Sequence, residues 1–324
     1  MTTLLLTGAE VARLLPMADC IAAVERGFLA LAEGRAPPPG VLGTHVDGGG
    51  FHIKAAVLDD CYAAKINGNF PGNPARSGLP TIQGVVVLAD ACDGRPLAIM
   101  DSIELTARRT GAATALAARH LARADARVAA IIGCGRQAMS QIEALKAVRP
   151  LVRVQAFDRD TARAQRFAAD ASALGLDVVV AGDIRQALAG ADMCVTCTPS
   201  HQPILLAGDV PPGIFIAAVG ADNPEKNELA PDLMASARVV VDLLDQCAAI
   251  GDLRHAIAAR AMTVAQVHGE LADLLTGRKS GRGSGDEITI FDSTGTAIQD
   301  VAAAALVHER ARAAGIGLEI ALAS

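Results

Sequence analysis

The sequence feature that most constrains the fold is a short apolar run that ends in closely spaced glycines and continues as a helical pattern. The run is residues 128–132, and the turn after it has the spacing G-x-G-x-x-A, with Gly133, Gly135 and Ala138 at the fixed positions. Glycine permits a tight turn and lets a phosphate approach the backbone, and alanine lets the helix lie close to the strand. The spacing predicts a dinucleotide-binding turn, whose helix, residues 137–148, directs its free N–H groups toward a pyrophosphate.

An acidic residue after the next apolar run indicates the same kind of cofactor. Asp158 follows residues 152–157 and lies twenty positions after Ala138, where a carboxylate meets the adenosine ribose hydroxyls. A carboxylate repels the 2′-phosphate of NADP, so the pattern favours NAD. Arg159 leaves NADP open, because a guanidinium can accept a phosphate or cover the adenine face. The alternative for the whole motif is an ordinary strand–helix–strand unit without a ligand.

Alternation of strand and helix patterns predicts the fold class. Strand signals interleaved with helical stretches indicate an α/β protein with a Rossmann-type, doubly wound parallel sheet. They lie near residues 128–132, 152–157, 177–180, 193–197, 214–219, 238–242 and 288–291. Short strands between residues 41 and 101, separated by turns, predict a second, α+β domain with its own sheet. We expect a substrate-binding and dimerisation domain at residues 1–118 and 296–324, and an NAD-binding domain at residues 119–295.

Three further elements of the first domain follow from local patterns. A helical apolar stripe predicts one helix over residues 8–33, ended by Gly34. The Gly- and Pro-rich passage 67–80 predicts a long binding loop. The last helix, which ends near Ala314, is expected to pack back on this domain.

Composition excludes several classes of function. The net charge is −6, only 2% of residues are aromatic and none is Trp, so neither a basic footprint nor a base-stacking surface for nucleic acid is present. No apolar run approaches the ~20 residues of a membrane span, and the N-terminal segment lacks the basic flank of a signal peptide. The seven cysteines are expected to be free thiols of a cytoplasmic protein without a metal site. We interpret Cys194 and Cys197, although spaced C-x-x-C, as structural residues of a strand.

Several segments together resemble one known family, the ornithine cyclodeaminase/μ-crystallin family, over nearly the whole chain. These segments are residues 63–67 with Asn73 and Pro74, 79–81, 106–113, 133–135, 219–222 with Glu228 and Leu229, and 286–295. The resemblance implies an NAD(P)-dependent enzyme of imine and amino-acid chemistry, with the active site in an interdomain cleft. It also implies a homodimer, which forms through the β-rich domain.

The resemblance assigns three substrate-side residues, Lys65, Arg109 and Thr81. Lys65 matches the active-site lysine of the family. Without the resemblance, it could equally be a surface lysine that extends from a sheet edge into solvent. Arg109 matches a carboxylate-binding arginine; its neighbour Arg108 is an equal rival by sequence, and either residue could form an ordinary helix ion pair. Thr81 matches a residue that hydrogen-bonds the substrate or nicotinamide side of the pocket.

Asp222 follows a strand at the edge where ligands gather in α/β sheets. We predict that it moves the proton of the substrate amine, with a pKa raised by a buried setting. A helix cap or turn residue is the alternative. Hydroxyls after the 193–197 strand can line the ribose and nicotinamide, and Ser293 and Gly295 match the nicotinamide-side turn of the family. Beyond the glycines and Asp158, the predicted cofactor residues are Arg136, Gln137, Ala138, Arg159, Thr196, Thr198, Ser200, Val219, Ser293 and Gly295.

Two departures from the family pattern bear on the substrate. No arginine follows the proline stretch at 37–39, where many relatives carry one that contacts the substrate carboxylate. In addition, His52 stands where ornithine cyclodeaminases hold the distal ammonium with an acidic residue, and Lys54 shares its face of the strand. A basic pair repels an ammonium and attracts a second carboxylate, unless both side chains face solvent.

The prediction is therefore NAD(H)-dependent reduction of a small 2-imino acid to the amino acid, with iminosuccinate, which yields aspartate, as the best candidate. Lys65 and Arg109 would fix the carboxylate, and His52, Lys54 and Thr81 would complete the substrate site. The alternatives are an ornithine cyclodeaminase, an alanine dehydrogenase and a non-catalytic μ-crystallin-like ligand-binding protein. A binding protein has no need of both Lys65 and Asp222, so their joint presence favours catalysis.

Overall fold

The computed structural model describes residues 2–322 and divides the chain into two units. The first comprises Met1–Arg109 with Thr296–Ser324, and the second comprises Thr110–Gly295. The division falls inside a continuous helix, α4 (Ser102–Leu121), rather than in a loop. The domain limits that we expect from sequence, with a boundary after residue 118, stay a prediction.

The first unit is built on a mixed sheet. In the described residues the strand order is β15-β1-β6-β5-β4-β3-β2; β1 pairs with β6 in parallel, and the other neighbours are antiparallel. The strands are β1 (Thr3–Leu6), β2 (Gly40–Val46), β3 (Gly49–Leu58), β4 (Cys61–Asn69), β5 (Ile82–Asp90), β6 (Pro96–Asp101) and β15 (Leu318–Ile320). Its helices, besides the first part of α4, are α1 (Gly8–Leu14), α2 (Met17–Ala32), α3 (Asn73–Ser77) and α12 (Ala297–Ala314).

The two faces of this sheet differ. Helix α12 packs on β3 and β4 and against α2. Gly27 of α2 lies so close to α12 that an added Cβ would stand 3.2 Å from the carbonyl oxygen of Ile298. The opposite face carries one apolar row, because Leu42, Ile53, Ile66 and Val85 are successive cross-strand partners from β2 to β5. Leu42 is 61% exposed, so this row is in contact with solvent in the single chain.

Two predictions for the first unit were wrong in detail. The single helix expected over residues 8–33 is two helices, α1 and α2, because Pro16 cannot donate the hydrogen bond that would continue α1. The passage 67–80 is not all loop, since β4 continues to Asn69 and α3 occupies part of the remainder. The last helix belongs to this unit, as predicted.

The second unit confirms the predicted Rossmann-type architecture. Its sheet has the order β13-β12-β14-β11-β10-β7-β8-β9 among the described residues, and all neighbouring strands are parallel. The strands are β7 (Val128–Ile132), β8 (Arg153–Phe157), β9 (Asp177–Val180), β10 (Met193–Thr196), β11 (Phe215–Ala218), β12 (Arg238–Val241), β13 (Gly269–Glu270) and β14 (Thr289–Asp292). The helices between them are α5 (Ala138–Val148), α6 (Thr161–Ser172), α7 (Ile184–Leu188), α8 (Pro231–Ser236), α9 (Leu244–Ile250), α10 (Asp252–Ala258) and α11 (Leu271–Leu275).

The strand order reverses between β7 and β10, and this reversal positions a ligand site. From β7 the chain continues outward to β8 and β9, and it then returns to place β10 on the other side of β7. Ligands of open parallel sheets bind beyond the carboxyl ends of the strands at such a switch point. The glycine turn follows β7 and Thr198 follows β10, so both predicted cofactor segments meet there.

The described part of the chain has neither a membrane-spanning helix nor a cluster of metal ligands. In residues 2–322, no helix combines the length and the apolar character needed to cross a membrane. Within the same residues, no group of three or more His, Cys, Asp or Glu side chains is arranged to hold a metal ion. All seven cysteines are free thiols, and Cys194 is buried in β10.

Candidate active site

A buried cluster of opposite charges lies in the first unit where α12 meets β4. The ammonium of Lys65 is 2.8 Å from Oδ2 of Asp300 and 3.0 Å from Oδ1. The guanidinium of Arg109 donates from Nε to Oδ1 of the same carboxylate at 2.8 Å. The side chains of Lys65 and Arg109 are 5% exposed and that of Asp300 is 1% exposed. Because ions lose several kcal/mol of hydration when buried, the carboxylate is what allows both cations to stay inside.

The secondary structure brings these charges together. Lys65 is two residues after the buried Ala63 on β4, so both side chains point to the face that α12 covers. Asp300 lies in the first turn of α12, and Gln299 beside it accepts a hydrogen bond from Nη1 of Arg109 at 2.8 Å. Two successive residues of one helix therefore bind two nitrogens of the same guanidinium.

The cluster changes the protonation of its members. Burial lowers the pKa of Lys65 to about 7, and the nearby charges of Arg109 and Lys54 act in the same direction, whereas Asp300 opposes them. Burial alone would raise the pKa of Asp300, but Lys65 and Arg109 outweigh it and the pKa is lowered. At neutral pH the Asp300 carboxylate is therefore ionised, and the ammonium of Lys65 is close to its pKa.

The structure separates the two candidate arginines. Arg108 pairs with Glu104 of its own helix at 2.8 Å and donates to the carbonyl oxygen of Leu15. This is the ordinary helix ion pair that the sequence left open for both residues. Arg109 turns instead into the buried cluster, as a carboxylate-binding residue would.

The other predicted substrate residues lie on the same sheet. Lys54 is the direct cross-strand partner of Lys65, is 9% exposed, and shares with Lys65 the face that α12 covers. His52 is two residues before Lys54 on β3, so it points to this face too, with its ring half-buried. Thr81 precedes β5, and its carbonyl oxygen accepts a hydrogen bond from the amide of Phe70.

The glycine turn of the second unit has room for a ligand. Gly133 has φ +98° and packs against the next loop, where an added Cβ would be 2.8 Å from Cγ2 of Thr198. Gly135 is the opposite case, since nothing lies within 4 Å of the place a Cβ would occupy. Helix α5 begins at Ala138, with Gln137 as its N-cap residue and no side-chain cap. The first glycine is thus required by packing, and the second leaves the helix N-terminus open to a phosphate.

Asp158 lies beside this turn. Its Oδ2 accepts a hydrogen bond from the amide of Cys134 at 2.9 Å, and its side chain is 11% exposed. Arg136 and Arg159 are both exposed at the same edge of the sheet. The carboxylate is therefore fixed by the glycine turn itself, at the end of β8, where the sequence placed the ribose contact.

One buried carboxylate ties the predicted nicotinamide-side loops together. Glu228 accepts hydrogen bonds from the hydroxyls of Thr196 and Thr198 and from the amides of Thr198 and Gly220, at 2.7 to 2.9 Å. Val219 donates its amide to the carbonyl oxygen of Thr196 at 2.9 Å, and the hydroxyl of Ser200 donates to Gln202. The threonine hydroxyls thus bind Glu228 and hold the loops after β10 and β11 in one arrangement.

A second buried carboxylate fixes the turn after β14. Asp242 accepts hydrogen bonds from the hydroxyl of Ser293 at 2.9 Å and from the amide of Gly295 at 2.7 Å. Ser293 is 2% exposed, so its hydroxyl points inward. Gly295 has φ +75°, a conformation that favours glycine.

Further acids stay inside this unit. Asp252 accepts from the amides of Glu228 and Leu229, and Asp292 accepts from the amide of Leu253. Burial raises the pKa of Asp252 to about 7, with Glu228 adding to the effect, and burial raises the pKa of Asp292 well above its ordinary value. Protons are therefore held in the interior of this unit near neutral pH.

The prediction that Asp222 has a buried setting was wrong. Its side chain is 46% exposed and lies 2.6 Å from Nζ of Lys226. The residue stands in the turn beyond β11, where the lysine four positions later compensates its charge at the surface. Its place at the carboxyl end of a strand agrees with the prediction, and its role in proton transfer stays a proposal.

Sequence reasoning missed the anionic partners. Asp300 and Gln299 are polar residues within an Ala-rich helix. The one sign of their burial in the sequence is that Ile298 and Val301, on a face expected to be buried, flank them. Glu228 lies in a segment that resembles the family, but the sequence alone assigns it no role. Its place among the hydroxyls depends on a loop contact across 32 residues, which no local pattern shows.

Together, the eight-stranded parallel sheet, the open glycine turn at its switch point and the carboxylate beside it define a Rossmann-type dinucleotide-binding protein. The sequence model of the ornithine cyclodeaminase/mu-crystallin family matches residues 1–315, and the chain belongs to this family.

Solved structures of similar chains carry several related activities. An archaeal alanine dehydrogenase, a dimer with bound NAD, superposes with a TM-score of 0.95 at 38% identity over 100% of both chains. The Δ1-pyrroline-2-carboxylate reductase of Thermococcus litoralis, in complex with NADH and L-proline, has a TM-score of 0.94 at 31% identity over 98% of this chain and 100% of that one. The iminosuccinate reductase of Paracoccus denitrificans, in complex with NAD+, has a TM-score of 0.90 at 32% identity over 99% of this chain and 100% of that one.

Proposed function

We propose that this protein reduces a small 2-imino acid to the amino acid with NADH, in a reversible reaction. The observation that carries the proposal is the buried pair of cations, Lys65 and Arg109, held by Asp300 in the first unit. NADH, when bound, supplies the hydride that reduces the C=N bond, and the nitrogen takes up one proton. The relatives that bind NAD or NADH and act on imino or amino acids support the same reaction class.

The residues present fit an NAD cofactor. The open space at Gly135 and the uncapped start of α5 suit a pyrophosphate, and Asp158 suits the ribose hydroxyls. Ala138 lets α5 lie close to β7. The proposed cofactor residues on the remaining loops are Arg136, Gln137, Arg159, Thr196, Thr198, Ser200, Val219, Ser293 and Gly295.

The substrate-side residues have separate tasks. Lys65 and Arg109 bind the α-carboxylate, and Arg109 offers a planar fork that matches its geometry. Thr81 hydrogen-bonds the substrate. Asp222 delivers the proton to the nitrogen of the substrate in reduction and removes it in the reverse direction.

The charge of the site favours a dicarboxylic substrate. With both lysines protonated, three cations, Lys54, Lys65 and Arg109, act on the carboxylate of Asp300, so positive groups predominate among these four. Iminosuccinate brings two carboxylates and would neutralise this excess. The distal ammonium of ornithine would add to the excess, so cyclodeaminase chemistry is disfavoured. Alanine dehydrogenase chemistry is the second candidate, supported by the superposition of the archaeal enzyme over all of both chains.

The decisive experiment offers the purified protein NADH with oxaloacetate, pyruvate or glyoxylate, each with and without ammonia, and follows NADH absorbance. Ammonia-dependent oxidation with oxaloacetate supports iminosuccinate reduction, and preference for pyruvate supports alanine dehydrogenase. A parallel reaction of ornithine with NAD that forms proline without net NADH would show a cyclodeaminase. If NADH binds but none of these substrates reacts, the catalytic proposal is wrong, and the result supports a non-catalytic ligand-binding protein.

The second carboxylate is tested by neutralising the basic pair. Lys54→Met and His52→Gln are each expected to raise KM for the oxaloacetate-derived imine about tenfold, because one charged hydrogen bond contributes about 1.5–3 kcal/mol. KM for the pyruvate-derived imine should change less than about twofold. Lys279→Met, at an exposed lysine of the other unit, is the matched control. Equal effects on both substrates would show that the pair does not contact a second carboxylate.

Asp158 is expected to decide the preference for NADH over NADPH. Asp158→Asn keeps an oxygen that can accept from the amide of Cys134 but removes the charge that repels a 2′-phosphate. The ratio of kcat/KM for NADH to that for NADPH should fall at least about tenfold, since this substitution both weakens a ribose contact and removes a repulsion. Asp170→Asn, at an exposed residue of α6, should leave the ratio unchanged. An unaltered ratio in Asp158→Asn would mean that this carboxylate lies away from the ribose.

We also propose a homodimer that forms through the exposed apolar row Leu42, Ile53, Ile66 and Val85. A contiguous apolar row across four strands is typical of a protein interface, and the superposed archaeal alanine dehydrogenase is a dimer. Sedimentation of wild type and of Ile66→Lys tests this proposal. Dimeric wild type and monomeric variant support it, and a monomeric wild type contradicts it.

A further inference from the structure

The carboxylate of Asp300 is buried and contacts two cations at once, unlike the carboxylate of a surface ion pair or a helix cap. It contacts a cation of β4 and a cation of α4 at the same time, with Lys65 at 2.8 Å and Arg109 at 2.8 Å. Its neighbour Gln299 is fully buried and accepts from Nη1 of Arg109, so it prevents the guanidinium from rotating about the Asp300 contact.

The charges around Lys65 come from β3, α4 and α12, whereas its cross-strand partner on β5 is the apolar Val86. Lys54 is its partner on β3, Arg109 reaches it from α4, and Asp300 reaches it from α12. Two of these neighbours are cations and disfavour the ammonium, as does burial. Asp300 is the one group among the three that favours it.

We propose that Asp300 is a positioning residue for substrate binding: it keeps Lys65 charged and holds Lys65 and Arg109 at the spacing that one substrate carboxylate requires. This inference rests on the proposed function for the identity of the bound carboxylate, but its electrostatic part concerns the protein alone. Without Asp300, three cations would face each other in a buried space, and the ammonium of Lys65 would release its proton.

A measurement on Lys65 itself tests the electrostatic part without turnover. The chain contains five lysines, so protein labelled with [ε-13C]lysine gives five resolvable signals, and that of Lys65 is assigned by its absence in Lys65→Arg. The midpoint of its pH titration is expected to move to lower pH by about one to three units in Asp300→Asn, because a contacting opposite charge has that effect on a pKa. Asp19→Asn is the matched control. Asp19 of α2 also pairs with a cation of α12, Arg310, but its side chain is 45% exposed.

Kinetics test the positioning part. In Asp300→Asn at pH 6, where Lys65 of wild type is still protonated, KM for the imino acid should rise at least about tenfold, while KM for NADH changes less than about twofold. Asp300→Glu keeps the charge but lengthens the side chain. The titration midpoint of Lys65 should therefore stay close to that of wild type, while KM for the imino acid still rises. This variant also replaces Asp300→Asn as the test should the latter fail to fold.

The outcomes separate the two proposals. A shifted Lys65 midpoint in a protein that reduces no imine supports the role of Asp300 and overturns the proposed function. An unmoved midpoint in Asp300→Asn, or an equal shift in Asp19→Asn, overturns the role of Asp300 whatever the activity.

Discussion

Lys65→Met is expected to lower kcat/KM for the imino acid about 30- to 5,000-fold. Removing one partner from a buried, hydrogen-bonded charge pair costs about 2–5 kcal/mol, and each 1.36 kcal/mol is a factor of ten in rate. The loss should appear in KM for the imino acid and spare the dissociation constant of NADH, because Lys65 belongs to the substrate-side unit. Methionine has a similar length and leaves Asp300 paired with Arg109, so the fold should survive.

Two companion variants make this result specific. Lys279→Met removes an exposed lysine and should change kcat/KM less than about twofold. Lys65→Arg keeps a charge that does not titrate near neutral pH. It should therefore retain part of the activity and lack the decline that we expect of wild type above about pH 7. Comparing variant with wild type at each pH cancels the pH dependence of imine formation. Full activity in Lys65→Met would remove Lys65 from the substrate site.

Asp222→Asn is expected to lower kcat about 10²- to 10⁴-fold, the range typical of a lost general acid or base. The amide keeps the shape of the side chain but cannot transfer the proton. Asp222 is half exposed and paired with Lys226, so the substitution should leave the thermal midpoint and the affinity for NADH unchanged. Asp170→Asn serves as the exposed control of the same chemical type. A loss confined to KM, with kcat intact, would assign Asp222 to binding and leave the proton donor to be found elsewhere.

The second unit was predictable because its signals are local. Strand and helix periods alternate along one continuous segment, and the glycine spacing has a backbone requirement that the structure meets, with φ +98° at Gly133 and open space at Gly135. The position of Asp158 beside the glycine turn also follows from its spacing in the sequence, since the ends of adjacent parallel strands meet at one edge of the sheet.

The first unit was less predictable where distant residues meet. Lys65 and Asp300 are 235 positions apart, and a lone acid in an Ala-rich helix has no periodic signature. Hydropathy treats a carboxylate as a surface group, so Asp300, Glu228 and Asp242 could not be identified as interior residues from pattern alone. For Asp222 a different assumption failed: its position at a strand end suggested burial, but the side chain is 46% exposed and pairs with Lys226.

The buried acids of the second unit make its folding a proton-uptake reaction. Asp252 has a pKa of about 7 inside the protein against an ordinary 3.8, so between these values the native state retains a proton that the unfolded chain releases. The stabilisation linked to this proton is complete below about pH 3.8 and is lost as pH rises through 7. This carboxylate thus gives the second unit a stability contribution that increases on mild acidification, opposite in sign to the contribution of an ion-paired acid such as Asp300.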